Sequence, residues 1–468
     1  MPQCTALFFR VLLPRALRLC PHSVQASRNS VLCCAAHAVT IIRVRPVPVC
    51  NLRMNKAFPV MKPTAFRAKR IITMTEKRLA AAAATPFSSG ISPQYQQFSG
   101  FASTPRPVFE DGVIIVRDNT ILCVEPHSRF VRRAGIPLHD LGPVTLVPGL
   151  INCHNHLELS HLHGKTLLGE GFTSWVGHMI RQDMTPQEEA VLNATAFMHR
   201  TGTVHVADIT SRAPALVARC AQQAGLSYHL LLEWFGHMPP ASGAPALPDA
   251  AAQLPQAVLQ ACCAPAGHAL YSTHPERLRQ AKDWCRAHHM PFSMHLAEHQ
   301  GEVEMLATGT GAFRDLLSVR VLPADYTPPR CSPVSHAHAL GLLGPGTLAV
   351  HCVHCDRHDI QTLARSGTAV CLCPRSNSAI GSGDAPVNSF IQAGLLLCLG
   401  TDSLASNHDL NLWNEARALR DRHGAAPDNL LFMLTAGGAQ ALGLNRLGAL
   451  APGMAAGWAV VPDDLCPA

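Results

Sequence analysis

Four separated clusters in this 468-residue chain carry side chains able to hold a metal ion and move protons. The first is His154-Asn155-His156, directly after the apolar Leu150-Ile151. In an extended segment, residues i and i+2 project to the same side, so both imidazoles can face one ion. The second, His295-Leu296-Ala297-Glu298, again ends an apolar run. A neutral imidazole there supplies a third nitrogen, and Glu298 is close enough to handle protons without ligating. The third, His351-Cys352-Val353-His354-Cys355-Asp356, has the composition of a structural zinc site. Strand geometry sends His351 and His354, and likewise Cys352 and Cys355, to opposite faces, which conflicts with a closed four-ligand shell. His351 is therefore the inward candidate and His354 a loop residue. The fourth is Gly400-Thr401-Asp402-Ser403, after the apolar Leu395–Leu399. A carboxylate at the end of such a strand is costly to bury unless it meets a metal or another cation; the competing role is a helix N-cap. Singly, each cluster also reads as an ordinary strand-end residue. Together, in this order, they argue for one shared site.

Such clusters need a scaffold that brings distant strand ends to one place. Apolar runs at Val144–Ile151, Thr203–Asp208, Ser227–Glu233, His268–Ser272, Phe292–Leu296, Leu348–Val353, Ala369–Cys373 and Leu395–Leu399 alternate with helical patterns such as Pro186–Arg200, Pro275–His288 and Asp359–Ser366. Buried strands separated by helices predict parallel βα units, and eight of them close a (β/α)8 TIM barrel with its site at the C-terminal strand ends. The barrel is expected over residues 146–446, and each cluster falls just past a run. Before it, Val113–Arg117 and Thr120–Val124 read as a hairpin around Asp118-Asn119. Those strands need a partner, and Trp458–Val461 supplies one. The α/β barrel therefore carries a small β-sandwich made from both chain ends, over 107–145 and 447–465. The Ala- and Pro-rich Pro239–Pro265 reads as a loop insertion with one helix.

Hydrophobic residues at 47% and charged ones at 15% suit a soluble globular protein with a large core. The net charge of +7 is local: no acid precedes Glu76, and that stretch carries twelve Lys and Arg, which leaves 26 of the 38 basic residues against 31 acidic ones. The remainder is thus acidic, with no electrostatic case for nucleic acid or an anionic membrane. Residues 1–100 are expected to be a disordered or non-native extension, with Met54, Met61 or Met74 as alternative starts; organellar targeting by the basic segment is the rival reading. The apolar Ala6–Leu13 is too short and too interrupted to span a membrane. The 18 cysteines are scattered among apolar neighbours, which fits free thiols in a reducing cytoplasm.

Five segments carry a family resemblance: Pro148–His156, His295–Glu298, His351, Cys373-Pro374-Arg375-Ser376-Asn377, and Gly400-Thr401-Asp402 with Ala405-Ser406-Asn407. Over about residues 107–465 the chain resembles the amidohydrolase superfamily, in its adenine, guanine and aminofutalosine deaminase and chlorohydrolase-like branch. The resemblance implies one divalent metal, zinc before iron, on His154, His156, His295 and Asp402. It also implies that Glu298 shuttles protons and that His351 orients the water or the leaving group. Binuclear members bridge two metals with a carboxylated Lys at a mid-barrel strand end; Glu233–His237 and Tyr271-Ser272-Thr273 offer none, so a mononuclear site is expected. A metal lowers the pKa of bound water toward about 7. Hydroxide then attacks an amidine-like carbon, Asp402 and His351 accept a proton, and Glu298 passes it to the ring nitrogen and to departing ammonia.

The substrate side rests on the same resemblance. His268-Ala269-Leu270-Tyr271-Ser272 is similar to a His-x-Pro-Tyr-Ser/Thr element whose His contacts a purine-like ring, with Leu270 in place of Pro. Trp175, within Phe172–Gly177, and Leu232–Gly236 lie in segments similar to those of aminofutalosine deaminases. Arg375, with Ser376 and Asn377 at the mouth, is a candidate for a substrate carboxylate. The expected reaction is deamination of a small aminopurine nucleoside-like substrate, first 6-amino-6-deoxyfutalosine of menaquinone biosynthesis. S-adenosylhomocysteine or methylthioadenosine, guanine and chlorinated triazines are the alternatives, and a non-catalytic scaffold is the alternative of another class. Trp458 stands where the family usually has Asp, and a homodimer is the assembly similar proteins suggest.

Overall fold

In the computed structural model, residues 62–76 and 107–467 are described, apart from 132, 134 and 242. The chain first builds a small mixed sheet. Strand β1 (Thr64–Ile72) pairs antiparallel with β2 (Val108–Arg117), which turns into β3 (Thr120–Pro126). The turn residues Asp118 and Asn119 take φ of +48° and +60°, the left-handed pair that a tight hairpin requires and that Asp and Asn tolerate. Strands β4 (Leu138–Asp140) and β5 (Thr145–Pro148) both run parallel to β1 on its other side. Ile71, Ile114, Ile121 and Leu146 pack on one face of this sheet, and Ala65, Val113, Ile115 and Leu122 on the other.

Strand β1 corrects the expectation that residues 1–100 are an extension, because it lies in the middle of this sheet. Its alternation is masked in the sequence by Arg67, Lys69 and Arg70. The acids that neutralise it come from neighbouring strands: Arg67 pairs with Asp111 (2.6 Å) and Asp140 (3.0 Å), and Arg70 with Glu110 (3.1 Å). The rest of the expected extension lies outside the described residues, save 62–76.

Beyond Gly149 the chain enters the barrel. One parallel sheet holds β6 (Leu150–Asn155), β7 (Thr203–Thr210), β8 (Ser227–Trp234) and β9 (Cys263–Gly267). A second holds β10 (Phe292–Leu296), β11 (Thr347–His351), β12 (Ala369–Leu372) and β13 (Leu397–Leu399). Single parallel bridges join the sheets at both seams, Ala269 with His295 and Asn155 with Asp402. The result is the eight-stranded (β/α)8 barrel, with helices such as Glu188–Arg200, Pro214–Ala224, Pro275–Ala287 and Arg357–Ser366 between strands. Strand β14 (Trp458–Val460) returns to pair antiparallel with β5. Val206, Leu230 and Leu232 pack outward on the helices, while Ala207, Ile209 and Leu231 join the interior core. Among the described residues, no helix is long and apolar enough to cross a membrane.

Two strand expectations shift. The run Val144–Ile151 divides at Gly149, where an added Cβ would come within 2.3 Å of Val204; its first half belongs to the small sheet and its second to the barrel. The fourth barrel strand was read too late: the strand is Cys263–Gly267, and His268–Ser272 is the turn beyond it. Cys-Ala-Pro-Ala-Gly lacks the β-branched and aromatic residues that mark strands. It is a strand because a small-residue backbone is what fits here: a Cβ on Gly267 would lie 2.1 Å from Leu278.

Candidate active site

The strand ends deliver their side chains to one point. His154 is on β6 and His156 just past it; their Nε2 atoms lie 3.2 Å apart. Asp402, following β13, brings Oδ1 to 3.6 Å from Nε2 of His154 and 3.5 Å from Nε2 of His156. His295, on β10, places its ring centroid 4.9 Å from that of His154 and 5.4 Å from that of His351, which ends β11. Glu298 Oε1 stands 3.4 Å from His351 Nε2.

Regular strands would not aim these groups together. Ala297, His351, Cys352 and Asp402 all adopt positive φ, +50°, +73°, +47° and +55°. Each such residue costs roughly 1–3 kcal/mol and persists where surrounding structure holds it. The break at Cys352 also ends the strand alternation used above, and His354 sits in the loop with Nε2 on the carbonyl of Ser382.

Hydrogen bonds set which nitrogens are free. His295 donates Nδ1–H to the carbonyl of His268 at 2.8 Å, so its lone pair is on Nε2. His351 donates Nδ1–H to Asn377 Oδ1 at 2.8 Å, and its Nε2 is buried without a partner. Asp402 accepts from the hydroxyls of Ser376 (2.6 Å) and Ser406 (2.8 Å) at Oδ2, which leaves Oδ1 facing the imidazoles. Burial holds His156 and His351 down at about 4 and pushes His295 well below the ordinary histidine range. Burial alone would raise Asp402, but the imidazoles outweigh it and hold the carboxyl well below the usual range. Glu298 is pushed well above it, by burial first and then by Asp402 and Glu302. Imidazole nitrogens converging on one carboxylate oxygen are a donor set that fits a divalent cation. Imidazole and carboxylate suit zinc and iron alike.

The residues expected to meet substrate divide. His268 faces the centre, its ring 4.9 Å from that of His295, with Nδ1 engaged by Ser272 Oγ. Trp175 spends its indole N–H on the carbonyl of Ala405 (2.9 Å) and packs beside Phe172. Arg375, Ser376 and Asn377 each have partners within the protein. The Arg375 guanidinium is taken by Asp409 in two contacts, 2.7 and 3.0 Å, with Glu415 Oε1 at 3.6 Å. Ser376 and Asn377 are fully buried behind the centre and serve Asp402 and His351. All three lie on the short helix Pro374–Ala379 that follows β12, and Ser376 and Asn377 are among its buried residues.

Three groups carried no sequence-based role. Glu302, on the helix Gln300–Thr308, accepts the backbone N–H of Glu298 at 2.9 Å. Its position four residues after Glu298 was the available signal. Ser406 sat in a quoted motif without a task. Glu233, next to last in β8, has one oxygen within 4.8 Å of ring nitrogens of His268 and His295, and burial pushes its carboxyl up to about 8.

Comparison with known proteins agrees with this geometry. The model of a family described as the amidohydrolase family matches residues 145–465. A 5-methylthioadenosine/S-adenosylhomocysteine deaminase of Nitratidesulfovibrio vulgaris (strain Miyazaki F) is 31% identical over 380 residues, 74% of this chain and 78% of that relative. One of the same name from Pelotomaculum thermopropionicum is 29% identical over 391 residues, 78% of this chain and 83% of its own. Among solved structures, Helicobacter pylori aminofutalosine deaminase with methylthio-coformycin superposes with a TM-score of 0.69 at 20% identity, over 85% of this chain and 91% of that one. Zinc-bound atrazine chlorohydrolase of Arthrobacter aurescens gives 0.63 at 19%, over 86% and 90%. At these identities the structural likeness establishes the fold.

Proposed function

Since the chain belongs to the amidohydrolase family, we propose that it removes the amino group from the purine ring of an adenine nucleoside. In this reading His154, His156, His295 and Asp402 hold one divalent metal, zinc before iron. The metal acidifies water and supplies a Lewis acid. Glu298, whose carboxyl burial pushes well above the ordinary carboxylate range, donates to the ring nitrogen next to the amino-bearing carbon. Water adds at that carbon, and the proton it sheds reaches Asp402 Oδ1, held in place through Oδ2. His351, fixed by Asn377, keeps a bare Nε2 beside Glu298 to steady the adding oxygen's proton. Asp402 then passes its proton to the amino group, which leaves as ammonia, and the hydroxyl proton of the collapsing adduct returns to Glu298 as the ring carbonyl forms. The observation that carries the reading is the pair of imidazole Nε2 atoms 3.2 Å apart facing one carboxylate oxygen.

For the substrate, 6-amino-6-deoxyfutalosine comes first. Phe235, 56% exposed, sets its ring 5.0 Å from that of His268, and the 80% exposed Met238 follows; an apolar ledge there suits an aromatic substituent beyond the sugar. Methylthioadenosine or S-adenosylhomocysteine is the second reading, favoured by the names of the sequence relatives. Zinc content and ammonia release over these three compounds and guanine test the proposal. About one metal per chain and release from an adenine nucleoside are expected. Release from guanine alone refutes the nucleoside reading, and well under one metal per chain with no release makes the chain a scaffold.

A further inference from the structure

Glu233 faces the centre without a task. Its Oε1 is buried and has no hydrogen-bond partner. An acceptor in that state is destabilising unless something outside the protein pairs with it. One of its oxygens lies within 4.8 Å of ring nitrogens of both His268 and His295.

A second metal ion does not account for the arrangement. His295 has one lone pair, at Nε2, because Nδ1–H is given to the carbonyl of His268. That lone pair belongs to the cluster with His154. His268 has Nδ1 engaged by Ser272, which leaves its Nε2. The flank formed by β8 and the turn after β9 therefore presents a carboxyl oxygen and a ring nitrogen side by side. Glu298 and His351 stand together at the ends of β10 and β11.

We propose that Glu233 is a specificity-determining residue that binds the ribose 2′-hydroxyl of the substrate, next to a ring contact at His268. This rests on the nucleoside reading above. The sugar edge of a purine ribonucleoside carries a ring nitrogen acceptor, N3, close to the 2′-hydroxyl donor. When the Ser272 hydroxyl donates to Nδ1, His268 carries its proton on Nε2 and meets N3; the neighbouring carboxyl meets the hydroxyl. Charged or protonated, that carboxyl keeps an oxygen able to accept, so the contact does not depend on titration.

The test compares wild type, Glu233→Ala and Glu233→Gln on 5′-methylthioadenosine and its 2′-deoxy counterpart, with zinc content measured on each protein. Wild type should prefer the ribo compound by about 10- to 100-fold in kcat/KM, and Glu233→Ala should lower that preference to within about 3-fold. Glu233→Gln, which retains an acceptor oxygen and the side-chain volume, should keep part of it and decides the matter if the alanine variant does not fold. Zinc per chain should not change. A ribo preference that survives both substitutions, or loss of a zinc equivalent, overturns the assignment. If wild type releases ammonia from neither compound nor from 6-amino-6-deoxyfutalosine, the deaminase reading fails separately. Calorimetric binding of inosine and 2′-deoxyinosine then judges Glu233, and equal or absent affinity for the two overturns it.

Discussion

Replacing Ser376 with Ala should weaken metal binding while leaving the fold intact. Asp402 has two oxygens with different duties: Oδ1 faces the imidazoles, and Oδ2 is held by the hydroxyls of Ser376 at 2.6 Å and Ser406 at 2.8 Å. Hydrogen bonds to an ionised carboxylate contribute roughly 1.5–3 kcal/mol each. Ser376 is fully buried, so bulk water does not replace the lost hydroxyl. Removing one of the two bonds frees the carboxylate to rotate and should lower zinc affinity by about 10- to 100-fold, in line with the loss of outer partners at other metal sites. Competition against a zinc-sensitive chelating dye at neutral pH reads this directly, and Ser406→Ala should give a loss of similar size. Unchanged affinity in Ser376→Ala, together with a raised KM, would refute the reasoning and return Ser376 to the substrate side.

Two further perturbations probe the scaffold. A chain beginning at Met61 retains β1 and should fold, whereas one beginning at Met74 lacks it. Burying Phe66, Ile71 and Ile72 contributes roughly 1.5–3 kcal/mol each, a large part of a typical 5–15 kcal/mol stability, so the shorter chain should be insoluble or show no cooperative melting transition. Inside the barrel, the His229 ring lies 5.0 Å from that of His205, and burial holds His229 at about 4 against an ordinary 6.5. The native state thus stays neutral where the unfolded chain gains a proton. Stability should be complete above pH 6.5 and fall as pH drops toward 4, by about 2 kcal/mol at pH 5 from this group. His229→Gln should flatten that slope in urea unfolding at pH 7.5 and 5.0; an unaltered slope would place the acid sensitivity elsewhere.

The barrel was legible because buried parallel strands read as continuous apolar runs, and the ligands because each falls where such a run stops. Two features were hidden for physical reasons. Strand β1 looked like a basic tail because its compensating acids, Asp111, Asp140 and Glu110, lie far along the chain. Strand β9 has no propensity signal, since tight packing against Leu278 demands small residues. For the side chains around Arg375 the limit is of a third kind. A motif near a ligand says that a residue is close to the centre, and does not say whether it faces substrate or supports a ligand from behind.

That distinction follows from the backbone. The centre is assembled on four residues with left-handed φ, Ala297, His351, Cys352 and Asp402. Three of the turns have a buried polar support: Glu302 accepts from Glu298 N–H beside Ala297, Asn377 receives the His351 ring, and Ser376 with Ser406 holds Asp402. A strain of roughly 1–3 kcal/mol per residue is comparable to one or two such hydrogen bonds, so each support is matched to the turn it stabilises. The polar residues beside the ligands are therefore first accounted for by the strain of aiming the ligands. Glu233 has an unpaired buried oxygen and, among the described residues, no strained non-glycine turn beside it. An unpaired acceptor on an unstrained strand, directed at the centre, is what a contact completed by substrate requires.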